Sequence, residues 1–172
     1  MKLYERYILS FYSFYQVGEG EGEGFNINIP WNGAGFGDYE YMQAFKDIIM
    51  PVAKEYNPEL ILISAGFDAA IGDPLSGYQV SPPMYGFMTH QLSALAGGRL
   101  VIALEGGYNL DVIATCATMC GHALMGQTDK LPCVTATRGR ETRAQQSADD
   151  TVRDVIKTQS KYWKSLDPNP HK

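Results

Sequence analysis

The sequence is short of the residues that assemble metal sites, and it holds no long apolar run. Its three histidines, His90, His122 and His171, lie far apart, and its three cysteines, Cys116, Cys120 and Cys133, form no C-x-x-C pair. Cys116 and Cys120 stand four apart in a helical pattern near His122. No further Cys or His follows at zinc-ligand spacing, so buried free thiols are the better reading, and they suit a reducing compartment. Basic charge is also scarce: 14 Lys and Arg against 19 Asp and Glu leave a net charge of −5. That excludes a general attraction for nucleic acid or anionic lipid, although its sign favours a basic peptide. The aromatic-rich opening Met1–Tyr15 carries Lys2, Glu5 and Arg6. It is too short and too charged to span a membrane, and it lacks the apolar core and small-residue cleavage site of a signal peptide. Cytoplasm or nucleus is therefore the expected compartment, with no direct nucleic-acid or membrane partner.

What is present suits one folded unit. A chain of 172 residues can bury roughly 70% of its unfolded surface. The run Gly18–Gly24 alternates Gly and Glu and reads as an exposed loop, since three carboxylates would repel a phosphate. Phe25–Ile29 alternates apolar and polar and predicts a strand stopped by Pro30. Asp38 is placed to cap a helix to about Tyr56, bent or divided by Pro51. Leu60–Ile63 and Leu100–Leu104 are short, continuously apolar runs of the buried parallel type. Ser81-Pro82 opens a helix between them, with Met84, Tyr85, Met88, Leu92 and Leu95 inward. Asn109 caps another to about Met125, with Val112, Ile113, Cys116, Met119, Cys120 and Leu124 inward. Ser147 with Asp150 resembles a capping box for a last helix whose face is Val152, Ile156, Trp163 and Leu166. The order predicts an α/β fold, a three-layer open parallel sheet flanked by helices. The expected organisation is a divergent segment 1–17, an α/β unit 18–128, a connector 129–146, a helix 147–167 packing back on the unit, and a tail 168–172.

Two loops follow the two apolar runs: Ser64-Ala65-Gly66-Phe67-Asp68-Ala69 and Glu105-Gly106-Gly107-Tyr108-Asn109-Leu110. Ligands of open parallel sheets bind beyond the carboxyl ends of the strands. Phe67 can pack there while Asp68 turns outward, as a metal ligand or as a loop cap. Tyr108 follows two glycines that allow close backbone approach, and its phenol reads either as an oxyanion donor or as a core aromatic. His90 and His122 each read as packed or surface histidines, and His171 sits in a polar tail.

Taken together, the two loops carry a resemblance. GEGFNINIPW, ELILISAGFDAAIGDPLSGYQVSP and MTHQLSALAGGRLVIALEGGYNL resemble the C-terminal half of the zinc-dependent histone deacetylase catalytic domain, in wording most similar to the class IIb branch. The resemblance covers Gly18 to about Gly126. It implies a partial arginase/deacetylase-type fold and a zinc cofactor, with Asp68 as the second aspartate of an Asp-His-Asp metal site. It also implies that Tyr108 hydrogen-bonds the acetyl-lysine carbonyl, that Gly106 and Phe67 contact substrate in the tunnel, and that Leu75 forms an apolar rim. A Glu at the Leu75 position would imply a polyamine substrate, and a His at the Tyr108 position a weakly active branch. The implied substrates are acetylated protein tails such as those of histones or tubulin, with corepressor or regulatory subunits as partners.

The family's tandem histidines and its Asp-x-His pair lie upstream of the resembling half. Met1–Gln16 holds no histidine and only Glu5 as an acid. The expectation is therefore a truncated deacetylase, inactive as the 172-residue chain. The other reading is a catalytically inactive interaction or regulatory fragment.

Overall fold

The computed structural model describes residues 13–131, 134 and 143–166. Most of the aromatic opening, Cys133 and the tail with His171 lie outside the described residues.

Helix α1, Asp38–Ala44, runs through a π-helical turn, Phe45–Ile49, into α2, Met50–Tyr56. Pro51 has no N–H to give to the preceding turn, and its ring crowds the carbonyl four residues back. Widening the ladder just before it keeps the helix going where an α-helical turn would clash. Asn57, left-handed at φ 52°, closes α2. Strand β1, Ile61–Ala65, pairs in parallel with β2, Leu100–Leu104, in the register Ile61↔Leu100 to Ala65↔Leu104. Helix α3, Pro82–Ser93, connects them, and α4, Leu110–Leu124, follows β2. Asn109 caps α4 as read from the sequence, its side chain accepting from the Asp111 and Val112 N–H groups. Helix α5, Arg143–Gln159, begins earlier than the Ser147 signal suggested, so Ser147 is a helix-interior residue and not a cap.

The parallel α/β class is present, with two strands among the described residues. One face of the sheet, through Ile63, Ala65 and Ile102, packs on Met84 and Tyr85 of α3 and on Cys116 and Cys120 of α4. The runs are not buried on both faces, however: Leu62 is 72% exposed and Val101 54%. Parallel strands normally lie between two covering layers, and the described residues provide one. The inward stripe of α4 also ends sooner than its periodicity implied, since Leu124 is half exposed.

Phe25–Ile29 does not form a strand. Its alternation is real, but Ile27 and Ile29 meet side chains of helices and of the segment after α5: Ile48, Val152 and Val155 form one cluster around them, and Val52, Trp163 and Leu166 another around Ile27. Side chains donate to the Asn26 carbonyl and to that of Gly24 just before the segment, where a neighbouring strand would have served. Gln159 Nε2 donates to Asn26 O at 2.9 Å, and Trp163 Nε1 donates to Gly24 O at 2.9 Å.

Candidate functional site

The register of β1 and β2 sends both key loops off the same end of the sheet, side by side. Glu105 N–H donates to Ala65 O at 3.0 Å, and Phe67 N–H donates to Gly106 O at 2.9 Å, so pairing continues past the strands. Phe67 is buried, its ring edge-on to Tyr85 at 5.2 Å between centroids. Its backbone thereby fixes where Asp68 starts.

Asp68 is half-buried and its carboxylate lies against the second loop. A Cβ built on Gly106 would stand 3.0 Å from Asp68 Cγ and 3.0 Å from Oδ1. Gly106 is thus bare because the carboxylate occupies the space a side chain would need. The Asp68 carbonyl accepts from Ser76 Oγ at 2.6 Å, which pins the loop from the other side. Tyr41 and Tyr85 lie within electrostatic reach of Asp68, and Tyr85 Oη donates to Gly66 O at 3.4 Å. Burial pushes both phenols above the ordinary tyrosine range, and the Asp68 charge adds to the effect in each.

Tyr108 stands 59% exposed at the mouth of this arrangement, and Leu75 is 67% exposed. Gly107, at φ +127°, makes the turn between Gly106 and Tyr108. A Cβ there would come 3.1 Å from Phe67 Cβ and 2.9 Å from Ile113 Cγ1. The structure therefore brings Phe67, Asp68, Gly106 and Tyr108 together through main-chain contacts. It joins Leu75 to them through Asp73, in the turn Gly72-Asp73-Pro74. Asp73 accepts from Leu75 N–H at 2.9 Å with Oδ1 and from Tyr108 N–H at 2.7 Å with Oδ2. The local signal, an Asp two residues before an N–H in a Gly-Asp-Pro turn, was legible. Its partner 35 positions later was not.

The other candidate groups sit apart from this site. Cys116 and Cys120 are buried, and burial pushes the Cys116 thiol up to about 12. His122 Nδ1 bonds Gln127 Oε1 at 2.8 Å in the last turn of α4. It is twelve residues beyond Leu110, about 18 Å along the helix from the loop. Among the described residues no group of three or more His, Cys, Asp or Glu could hold a metal ion. Zinc takes at least three protein ligands. The single carboxylate of Asp68 does not fit a zinc ion by itself, and any complete site needs donors from outside this set.

Residues 11–124 match the model of the histone deacetylase domain. The chain is 50% identical over 151 residues to histone deacetylase HDA1 of Candida albicans, covering 88% of this chain and 17% of that protein. It is 44% identical over 155 residues to histone deacetylase 6 of Caenorhabditis elegans, covering 87% of this chain and 16% of the relative. The solved structure of the histone deacetylase Clr3 superimposes with a TM-score of 0.81 at 41% identity, over 92% of this chain and 26% of that one. The chain thus spans about a sixth of the length of these curated relatives. No helix among the described residues is long and apolar enough to cross a membrane.

Proposed function

The chain belongs to the histone deacetylase family, and we propose that it supplies part of a catalytic domain that hydrolyses acetyl-lysine amides. The observation that carries this reading is the meeting of the two loops. The Asp68 carboxylate lies against the Gly106 backbone, and Tyr108 follows two residues later in the same loop. In this reading Asp68 is one ligand of a zinc ion, and Gly106 and Phe67 shape the wall that the acetyl-lysine passes. Leu75 forms an apolar rim that suits a protein acetyl-lysine and offers no charge to a polyamine. The substrates are acetylated protein tails, histone or tubulin among them. Nuclear or cytoplasmic placement and regulatory subunits belong to the same reading.

In this reading one chemical role falls to Tyr108. Tyr108 is exposed and anchored by its main chain, so its phenol is free to donate a hydrogen bond to the oxygen of an acetyl group as charge develops there. Donors of this kind are worth roughly 2.7–4 kcal/mol in the transition state. Among the described residues no group of three or more His, Cys, Asp or Glu gathers to complete a metal site, and no step through the metal follows from one carboxylate.

For the 172-residue sequence taken alone, that single carboxylate favours a second reading, a catalytically inert interaction or regulatory fragment. Zinc analysis of the purified chain beside an acetyl-lysine peptide assay separates the two. Stoichiometric zinc with turnover abolished by Tyr108→Phe shows an active enzyme. The expected result is neither zinc nor turnover from these residues alone, with both appearing once the remaining donors are supplied.

A further inference from the structure

Tyr108 and Leu75 are both largely exposed, so burial holds neither side chain in place. Their positions come from the main chain, and both main-chain anchors converge on one side chain. The Asp73 carboxylate takes the Leu75 N–H at 2.9 Å on one oxygen and the Tyr108 N–H at 2.7 Å on the other. A second tie runs alongside, with Asn109 Nδ2 donating to Gly72 O at 3.0 Å while Oδ1 of the same residue caps α4. Gly72 at φ +92° and Gly107 at φ +127° give the two segments the turns that bring them within reach. Hydrogen bonds to an ionised acceptor are the strong ones, and a carboxylate with one donor on each oxygen fixes the spacing of those donors as well as their energy.

We propose that Asp73 is a positioning residue, tying the Tyr108 phenol and the Leu75 side chain into one unit presented to substrate. This inference rests on the deacetylase reading for what the phenol does, and on the geometry alone for the tie. Asp73 touches no reacting atom. It acts by removing the freedom of a loop whose working side chain is largely exposed.

The test is amide hydrogen exchange and ring relaxation by NMR on the 172-residue chain. Asp73→Ala is expected to speed exchange at Leu75 and Tyr108 together, by about tenfold or more, and to lower the order of the Tyr108 ring. Glu105 and Ile113, whose N–H groups bond Ala65 O and Asn109 O, should keep their protection, and the buried Phe67 ring its order. An unchanged Tyr108 amide, or an unchanged Tyr108 ring, overturns the proposal. Should Asp73→Ala fail to fold, Asp73→Asn decides. Its one remaining carbonyl oxygen serves a single amide, so one of the two amides loses protection, and protection of both overturns the tie. In a complete catalytic domain, Asp73→Ala should lower kcat on an acetyl-lysine peptide more than it raises KM. No turnover by the unsubstituted domain would count against the deacetylase reading, leaving the amide result to judge Asp73.

Discussion

Asp38 and Ser81 hold each other across 43 positions of sequence, Ser81 donating its N–H at 2.7 Å and its hydroxyl at 2.6 Å to the two carboxylate oxygens. Asp38 is the first residue of α1 and not its cap, which is Gly37, whereas Ser81 does stand at the N-cap of α3, with its hydroxyl turned to Asp38 and not to that helix's own N–H groups. Glu40 accepts from the Gly37 N–H at 2.6 Å and does the work at α1. The pair ties the start of α1 to the start of α3, and Gln79 N–H donating to Phe36 O at 2.7 Å extends the same join.

Asp38→Ala should therefore lower stability by about 2 kcal/mol, the range for hydrogen bonds to a charged acceptor. Ser81→Ala should cost less, because its backbone N–H still donates. The double variant should cost clearly less than the sum, since both changes remove the same hydroxyl bond. Urea midpoints of the four proteins measure this, and additive losses would refute a shared bond.

Gly24 lies under the ring of Tyr162 at φ +87°, and a Cβ on it would stand 2.6 Å from Tyr162 Cγ. Gly24→Ala should cost more than about 1 kcal/mol from the backbone conformation alone. The clash adds to this by displacing Tyr162 and with it the Trp163 indole bond to Gly24 O. The check is the exchange rate of the Trp163 indole N–H. Combining Gly24→Ala with Tyr162→Ala should recover part of the loss, whereas a silent Gly24→Ala would contradict this packing.

These contacts show what the sequence could and could not tell. The parallel pair, the Asn109 cap and the burial of Cys116 and Cys120 were legible because each depends on local periodicity or on one residue's own backbone. Asp38 with Ser81 and Asp73 with Tyr108 were not, because a carboxylate announces that it will accept hydrogen bonds without saying from where. Phe25–Ile29 was misread for a related reason: alternation says that one side is covered, and helices cover it as well as a sheet does. The two key loops were found as loops from the glycines and the preceding apolar runs. Their mutual contact, with Gly106 bare against Asp68, needed the register of β1 and β2.

Glu55 should give the turn at 163–166 a pH dependence. Its carboxylate accepts from Ser165 N–H at 2.7 Å and Lys164 N–H at 3.2 Å, and the Ser165 bond foremost holds it below the ordinary glutamate range. A carboxyl group bound more tightly as the anion stabilises the fold above its unfolded pKa and loses that contribution as pH falls through the lowered folded value. The turn at 163–166 should thus loosen on the acid side of the ordinary glutamate range. The Trp163 indole resonance would report it, and Glu55→Gln should remove this part of the acid response. Persistence of the response in Glu55→Gln would assign it to another group.

Gly106→Ala separates the site from the fold. The new Cβ would sit 3.0 Å from Asp68 Cγ and Oδ1 and 3.1 Å from Oδ2, closer than comfortable contact, so the carboxylate must give way by a few tenths of an ångström. Asp68 is only half-buried and can move, and Gly106 is not at positive φ. The loss of stability should therefore stay below about 1 kcal/mol. Metal coordination is stricter, tolerating about 0.2 Å around its preferred distances. In a complete catalytic domain Gly106→Ala should weaken zinc retention on dialysis while leaving the melting temperature nearly unchanged. Gly121→Ala in α4 is the control, because a Cβ there meets nothing within 4 Å. It should raise stability by roughly 0.5–1 kcal/mol and leave zinc alone. Equal zinc retention in the two variants would mean that the Asp68 carboxylate is not held against Gly106 for a metal's sake.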